Sequence, residues 1–319
     1  MISYAQQAED VVLARVFAGQ ATGRYVDIGA GDPLVASVTK HFYDLGWRGI
    51  NIEPIPAKAR ELRTARPGDL TLDVAVGARP GTAKLHVVEN EWGWSTLDDD
   101  LAGRYRDDHG WRVSTVEVEL STLAAVLDEH PGAVDFLKID VEGAERAVIE
   151  GADWTRHRPR VLVVEATEPG AQTQTHHEWE PMLLDAGYQC GLFDGLNRFY
   201  AQSDDAEALS RLGAPANVFD EFERYDVLQQ AKALEELRAG RAAEIGYARR
   251  IEGELRELQE THRRAADYLE QLEQTRAEQE RQRTRGARYT AGLEARVAEL
   301  EALLAAASGR IAELEAHRD

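Results

Sequence analysis

Phe136-Leu-Lys-Ile-Asp-Val-Glu-Gly143 is a short apolar strand that runs into two carboxylates and a glycine. Its bulky and β-branched residues suit a position covered on both faces of a sheet. Strand alternation puts Phe136, Lys138 and Asp140 on one face, and Leu137, Ile139 and Val141 on the other. A lysine in such a strand is costly, because a buried charge must be paired or lose its proton. Lys138 therefore demands an acid, and Asp140 and Glu165 are the strand-end candidates. Acids at the carboxyl end of a central parallel strand lie where α/β sheets bind ligands. The segment thus marks an α/β fold and nominates Asp140, Glu142 and Lys138 as catalytic residues.

Working outward, Tyr25–Ile28 reads as a strand entering Gly29-Ala-Gly31, followed by a helix over 37–45 and a strand over 49–52. Pro56 suits a helix first turn, and that helix runs to about residue 65. Further strands are expected over 70–76, 84–88, 113–118 and 161–165, with helices over 5–18, 122–129, 143–151 and 179–186. Residues 189–193 and 199–201 form a terminal hairpin-like pair, and a Trp-rich irregular insertion lies between 88 and 113. Such strand–helix alternation predicts a mostly parallel sheet with helices on both faces.

Composition divides the chain at about residue 224. Residues 1–224 carry 21 Lys and Arg against 38 Asp and Glu, while 225–319 carry 16 against 19. All ten prolines and all six tryptophans fall in the first part. This predicts a compact domain over 1–224, large enough for a substantial core, and a helical tail over 225–319. The acidity of the first part excludes nucleic acid as its main partner, since phosphate binding needs clustered Lys and Arg. A lone Cys190 excludes an intrachain disulfide and fits a reducing compartment. The N-terminus lacks signal-peptide regions and no apolar run is long enough to span a bilayer, so the expected location is cytoplasmic.

In the tail, one heptad register from Val227 to Leu314 holds Val, Leu, Ile or Ala at 17 of its 26 a and d positions. That predicts a coiled coil, hence a homo-oligomer or a helical partner. Arg276, Gln279, Arg283, Gly286 and Thr290 fill five successive core positions, so the seam is weak over 276–290. Fully helical, the tail reaches on the order of 130 Å. The mixed a and d residues select no single stoichiometry.

Asp27-Ile-Gly-Ala-Gly-Asp-Pro33 follows a strand and precedes a helix, as a nucleotide-type turn does. A dinucleotide fingerprint needs glycine where this chain has Leu34, which disfavours an NAD-dependent oxidoreductase. The strand-end acid and the spaced Glu53 point instead to S-adenosylmethionine. Asp27, Gly29 and Gly31 would hold its amino-acid part, and Glu53 would accept from the ribose hydroxyls. Asp73 is a weaker candidate for the adenine end.

Ser3-Tyr-Ala-Gln6 with Glu9-Asp10, Asp27-x-Gly-x-Gly31, Gly46–Pro54, Phe136–Glu145 and Asp194–Tyr200 together resemble the FkbM-type methyltransferases over residues 2–222. The resemblance implies a class I methyltransferase (Rossmann-like) fold, a seven-stranded sheet with a reversed last strand. It also implies S-adenosylmethionine as cofactor and O-methylation as reaction. Family members act on sugars and macrolide-type natural products, so the expected acceptor is a sugar or glycan hydroxyl, with a macrolide-type product as the alternative. A coiled-coil scaffold with a ligand-binding but non-catalytic head is the rival reading; the retained acids Asp27, Glu53 and Asp140 oppose it. The tail lies outside the family pattern.

Other groups carry weaker signals. The loop pair His176-His177 lacks a third spaced ligand, so no metal is assigned. Asp140, Glu165 and Asp194 converging on a divalent ion is a possible but disfavoured arrangement. Trp92, Trp94 and Trp111 either stack on carbohydrate or pack together. Gln6, Glu9 and Asp10 either fold over the cofactor or form an exposed helical face.

Overall fold

The computed structural model describes residues 1–89 and 91–316. It divides into two units, Met1–Ala233 and a second from Leu234 onward. The first unit is built on seven strands: β1 (Arg24–Ile28), β2 (Arg48–Ile52), β3 (Leu70–Leu72), β4 (Phe136–Ile139), β5 (Val161–Glu165), β6 (Tyr188–Phe193) and β7 (Asn197–Gln202). Their order across the sheet is β6-β7-β5-β4-β1-β2-β3. Strands β3, β2, β1, β4 and β5 are parallel, whereas β7 runs antiparallel to both β5 and β6. The reversed strand between β5 and β6 is the class I methyltransferase arrangement that the motifs implied.

Each face of the sheet has its own core. Val26, Ile50, Leu137, Ile139, Leu162 and Val164 pack on one side with Trp179 and Leu183. Tyr25, Phe136, Val161, Val163 and Phe199 pack on the other, beneath helix α1 (Glu9–Val16). The alternation read from β4 is thus realised, with Phe136 and Leu137 in opposite cores. Tyr25 stacks on Phe136 at 5.7 Å between ring centroids. A side chain on Gly49 of β2 would put its Cβ 2.2 Å from the Tyr25 ring, so that strand position has room only for glycine.

Helices α2 (Lys40–Asp44), α3 (Pro56–Ala65), α4 (Asp99–His109), α5 (Leu123–Glu129), α6 (Glu145–Glu150), α7 (Glu180–Asp185) and α8 (Ala206–Arg211) complete the unit. Several are shorter than their sequence patterns suggest. The helix expected over 5–18 begins only at Glu9, because Ala8 is left-handed at φ 60°. The strand expected over 70–76 splits: β3 stops at Leu72, and Ala75–Val76 pairs with Val113–Ser121 in a second, three-stranded sheet. That sheet also contains Gly81–Val88, antiparallel to Val113–Ser121. The insertion between those two strands is more regular than its composition suggests, holding a 3₁₀ turn at Trp92–Trp94 and helix α4. Asp98 caps α4 by accepting from the Leu101 amide at 2.9 Å, a signal hidden among consecutive aspartates.

The chain start is tied down, with Ile2–Ser3 pairing in parallel with Glu223–Arg224. Helix α9 (Tyr225–Ala316) follows and is helical through 276–290. Leu255, Leu258, Leu269, Leu272, Leu293 and Leu300 on it are exposed in the single chain. No helix among the described residues is long and apolar enough to cross a membrane.

Candidate active site

The loops leaving the carboxyl ends of β1, β2 and β4 surround a recess, roofed by the insertion. Gly29 is the contact point between two of these loops. At φ +75°, its Cβ would fall 1.8 Å from the Asp140 carbonyl oxygen. Absence of that Cβ lets the β1 and β4 loops touch, and the Asp140 amide donates to the Ile28 carbonyl at 3.1 Å.

Glu53 lies at the end of β2 and is 4% exposed. Its Oε2 accepts from the Gly31 amide at 2.9 Å and its Oε1 from the Ile55 amide at 2.8 Å. Burial raises its pKa, and those two amides work against the rise. Each oxygen has only one donor here and Glu53 lines the recess, so the carboxylate has capacity to accept further from vicinal hydroxyls. Val74, Val76, Leu85 and Leu97 supply an apolar wall nearby. A fixed carboxylate beside an apolar slot suits an adenosine group.

The loop over this recess is heavily anchored. Asp32 accepts from the Leu34 and Val35 amides at 2.9 and 3.0 Å and pairs with Lys58 at 3.0 Å. Lys58 also sits 4.5 Å from the Trp92 ring centroid. Arg66, fully buried, donates to the Pro33 carbonyl, the Ser37 hydroxyl and the Thr39 hydroxyl at 2.6–2.7 Å. Sequence reasoning passed over Arg66: at a helix end before a proline, it looks like any surface arginine. Only tertiary packing places it under the loop.

Lys138 resolves the puzzle of the central strand. It is 7% exposed, donates to the Gly29 carbonyl at 2.9 Å, and pairs with Asp140 at 3.3 Å and Asp27 at 3.5 Å. Burial acts against its charge, but Asp140 and Asp27 together hold its pKa above the ordinary lysine value. Glu165, the other acid considered for it, makes no ion pair with it. Asp27 faces Lys138 directly across β1 and β4, and its Oδ2 accepts from the Thr39 hydroxyl at 2.7 Å. It is 1% exposed and does not line the recess, so it reaches a ligand only through Lys138 and Thr39. Asp73 is also outside the recess, half-exposed and paired with Arg63 at 2.6 Å. Its neighbour Val74 lines the wall instead.

Asp140 and Glu142 both border the first recess, and Glu142 also borders a second. The two share Gln6, Val35, Ala36, Trp92 and Gly93 as a common wall. Glu165 and Thr167 line the second recess only. Glu142 adopts φ 53°, and burial, with Asp140 and Glu145 nearby, pushes its pKa up to about 9. Burial and the same neighbours raise Glu165 well above the carboxylate range. Glu145 is no ligand candidate: its Oε1 accepts from the Val141 and Gly143 amides at 3.1 Å and fixes the turn.

The remaining candidates separate cleanly. Glu9 and Asp10 are buried anchors, neither lid nor exposed face: Glu9 accepts from Asn197 at 2.9 Å and Asp10 from Ser3 at 2.6 Å. Gln6 alone of the three faces the recesses. Asp194 is spent on the turn it caps, accepting from the Leu196 and Asn197 amides. His176 faces Glu180 at 3.7 Å, and neither histidine of the pair lines a recess. Trp94 and Trp111 pack edge to face at 5.2 Å with Tyr105, whereas Trp92 covers Gly31.

Residues 27–190 match the family described as the methyltransferase FkbM domain. No curated protein matches the chain. Among solved structures, it is similar to a TehB-like SAM-dependent methyltransferase from Corynebacterium glutamicum (8% identity, 61% of this chain and 87% of that one, TM-score 0.33). It is also similar to precorrin-6y C5,15-methyltransferase from Geobacter metallireducens (17%, 61% and 87%, 0.34). A third is a fibrillarin pre-rRNA processing protein of Methanococcus jannaschii (12%, 57% and 67%, 0.31).

Proposed function

The chain belongs to the FkbM methyltransferase family, and from that premise we propose that it is an S-adenosylmethionine-dependent O-methyltransferase acting on a sugar or glycan hydroxyl. The observation that carries this reading is that Glu142 borders both the Glu53 recess and a second, open recess, with Asp140 beside it in the first. When bound, S-adenosylmethionine would supply an electrophilic methyl group on a sulfonium. Glu53 would hold the ribose, and the Gly29–Gly31 backbone the amino-acid part. Trp92 shields that loop from water. Asp140, tethered by Lys138 at 3.3 Å, would accept the proton that the acceptor hydroxyl loses. The second recess supports a carbohydrate acceptor, since its wall combines Trp92 and Trp94 with carboxylates and Gln172.

Calorimetric titration of the full chain with S-adenosylmethionine tests the cofactor assignment. Binding is expected at micromolar protein, and Glu53→Ala is expected to weaken it by at least about tenfold, the value of a lost charge-assisted hydrogen bond. An unchanged affinity in Glu53→Ala would falsify the assignment.

We further propose that the tail from residue 225 is an oligomerisation module. Its support is the exposure of the heptad leucines on α9, a face that one helix cannot bury alone. Sedimentation of the full chain should give an oligomer, and Leu258→Asp combined with Leu269→Asp should give the monomer. A monomeric parent chain refutes this.

A further inference from the structure

Three carboxylates meet where the two recesses join. One oxygen each from Asp140, Glu142 and Glu165 lies within 4.8 Å of the other two. Like charges so close need a counterion or shared protons. The cation beside them, Lys138, is committed to the Gly29 carbonyl, Asp27 and Asp140. Among the described residues, neither Glu142 nor Glu165 forms an ion pair.

A separate observation points to a missing ligand. Glu165 is 7% exposed, yet its Oε2 has no hydrogen-bond partner. Thr167, 4% exposed and lining the same recess, also has an unpartnered hydroxyl. Buried polar atoms without partners are uncommon in folded proteins and call for an explanation.

We infer that Asp140, Glu142 and Glu165 form a binding site for one divalent cation that prefers oxygen ligands, open on the side of the second recess. Two oxygens on one hard cation bound at about 2.0–2.6 Å can be at most about 4.0–5.2 Å apart, and the three oxygens here lie within 4.8 Å of one another. An all-carboxylate set favours magnesium, calcium or manganese over softer metals. Glu165 ends β5 and Asp140 follows β4, so two neighbouring strands fix two ligands on a rigid base, while the left-handed Glu142 turns the third towards them. On its open side the ion would carry water or an acceptor hydroxyl. Coordination through one oxygen of Asp140 leaves its other for the acceptor's proton. The cation site is independent of the cofactor assignment, since Glu53 and the glycine loop take no part in it.

Titration of the full chain with manganese(II), followed by the loss of free-ion electron paramagnetic resonance signal, tests the site. The parent chain should bind about one ion that magnesium or calcium displaces. Glu165→Gln should weaken binding by about tenfold or more, as each ligand charge removed lowers affinity. Glu142→Gln, at a half-buried position, should do the same and decides the matter if Glu165→Gln does not fold. Titrating the same samples with S-adenosylhomocysteine reports the cofactor recess separately. Affinity for manganese unchanged in both variants, or absent at millimolar ion in the parent, overturns the cation site and leaves shared protons as what holds the carboxylates together.

Discussion

Asp140→Asn is expected to lower methyl transfer by about 10²–10⁴-fold, the usual contribution of a positioned base. Cofactor affinity should change little, because the proposed cofactor contacts are Glu53 and the glycine loop. The substitution keeps the shape of the side chain and removes a carboxylate from the first recess. Lys138 would keep the Gly29 carbonyl at 2.9 Å and Asp27 at 3.5 Å, so the fold should persist. Single-turnover rates with the bound cofactor, beside calorimetric affinity, check the separation. A variant that turns over at the parental rate removes Asp140 from the chemistry.

Lys138→Met is expected to lower stability by about 3–5 kcal/mol, the cost of stripping one partner from a buried ion cluster. For a domain of this size that is a melting-temperature drop of roughly 6–20 °C. Asp27 explains the size of the effect. It is 1% exposed, and its Oδ1 has no hydrogen bond, with only the lysine 3.5 Å away to offset its charge. The same change frees Asp140, so turnover should fall in the fraction that remains folded. Thermal melts and turnover measured on one sample check both effects. A melting temperature equal to the parent's would show that Asp27 finds another partner and that the lysine only orients Asp140.

The two variants divide what Lys138 does. Its bond to the Gly29 carbonyl ties the glycine loop to β4, and its contact with Asp140 orients the proposed base. One buried cation therefore ties together the β1 and β4 sides of the first recess.

The sequence alone determined the sheet, because the periodicities of β1, β4 and β5 are local properties of short apolar runs. It also singled out Glu53, one strand after a glycine turn, which the structure buries against the Gly31 and Ile55 amides. The long helix was equally legible, as a heptad register is written in consecutive residues. Tertiary structure decided the rest. Asp27 looked like a cofactor ligand, but register places it against Lys138 beneath the recess. Asp73 was a weaker candidate for the adenine end, but β3 ends one residue earlier and the side chain pairs with Arg63. Arg66, Tyr105 and Thr167 gave no sequence signal, because burial comes from segments far along the chain. The convergence of Asp140, Glu142 and Glu165 is of the same kind: β4 and β5 are separated by a helix in sequence, and only their parallel pairing brings those carboxylates together. Residue spacing encodes which face a side chain takes, whereas the partners it meets there depend on how distant strands align.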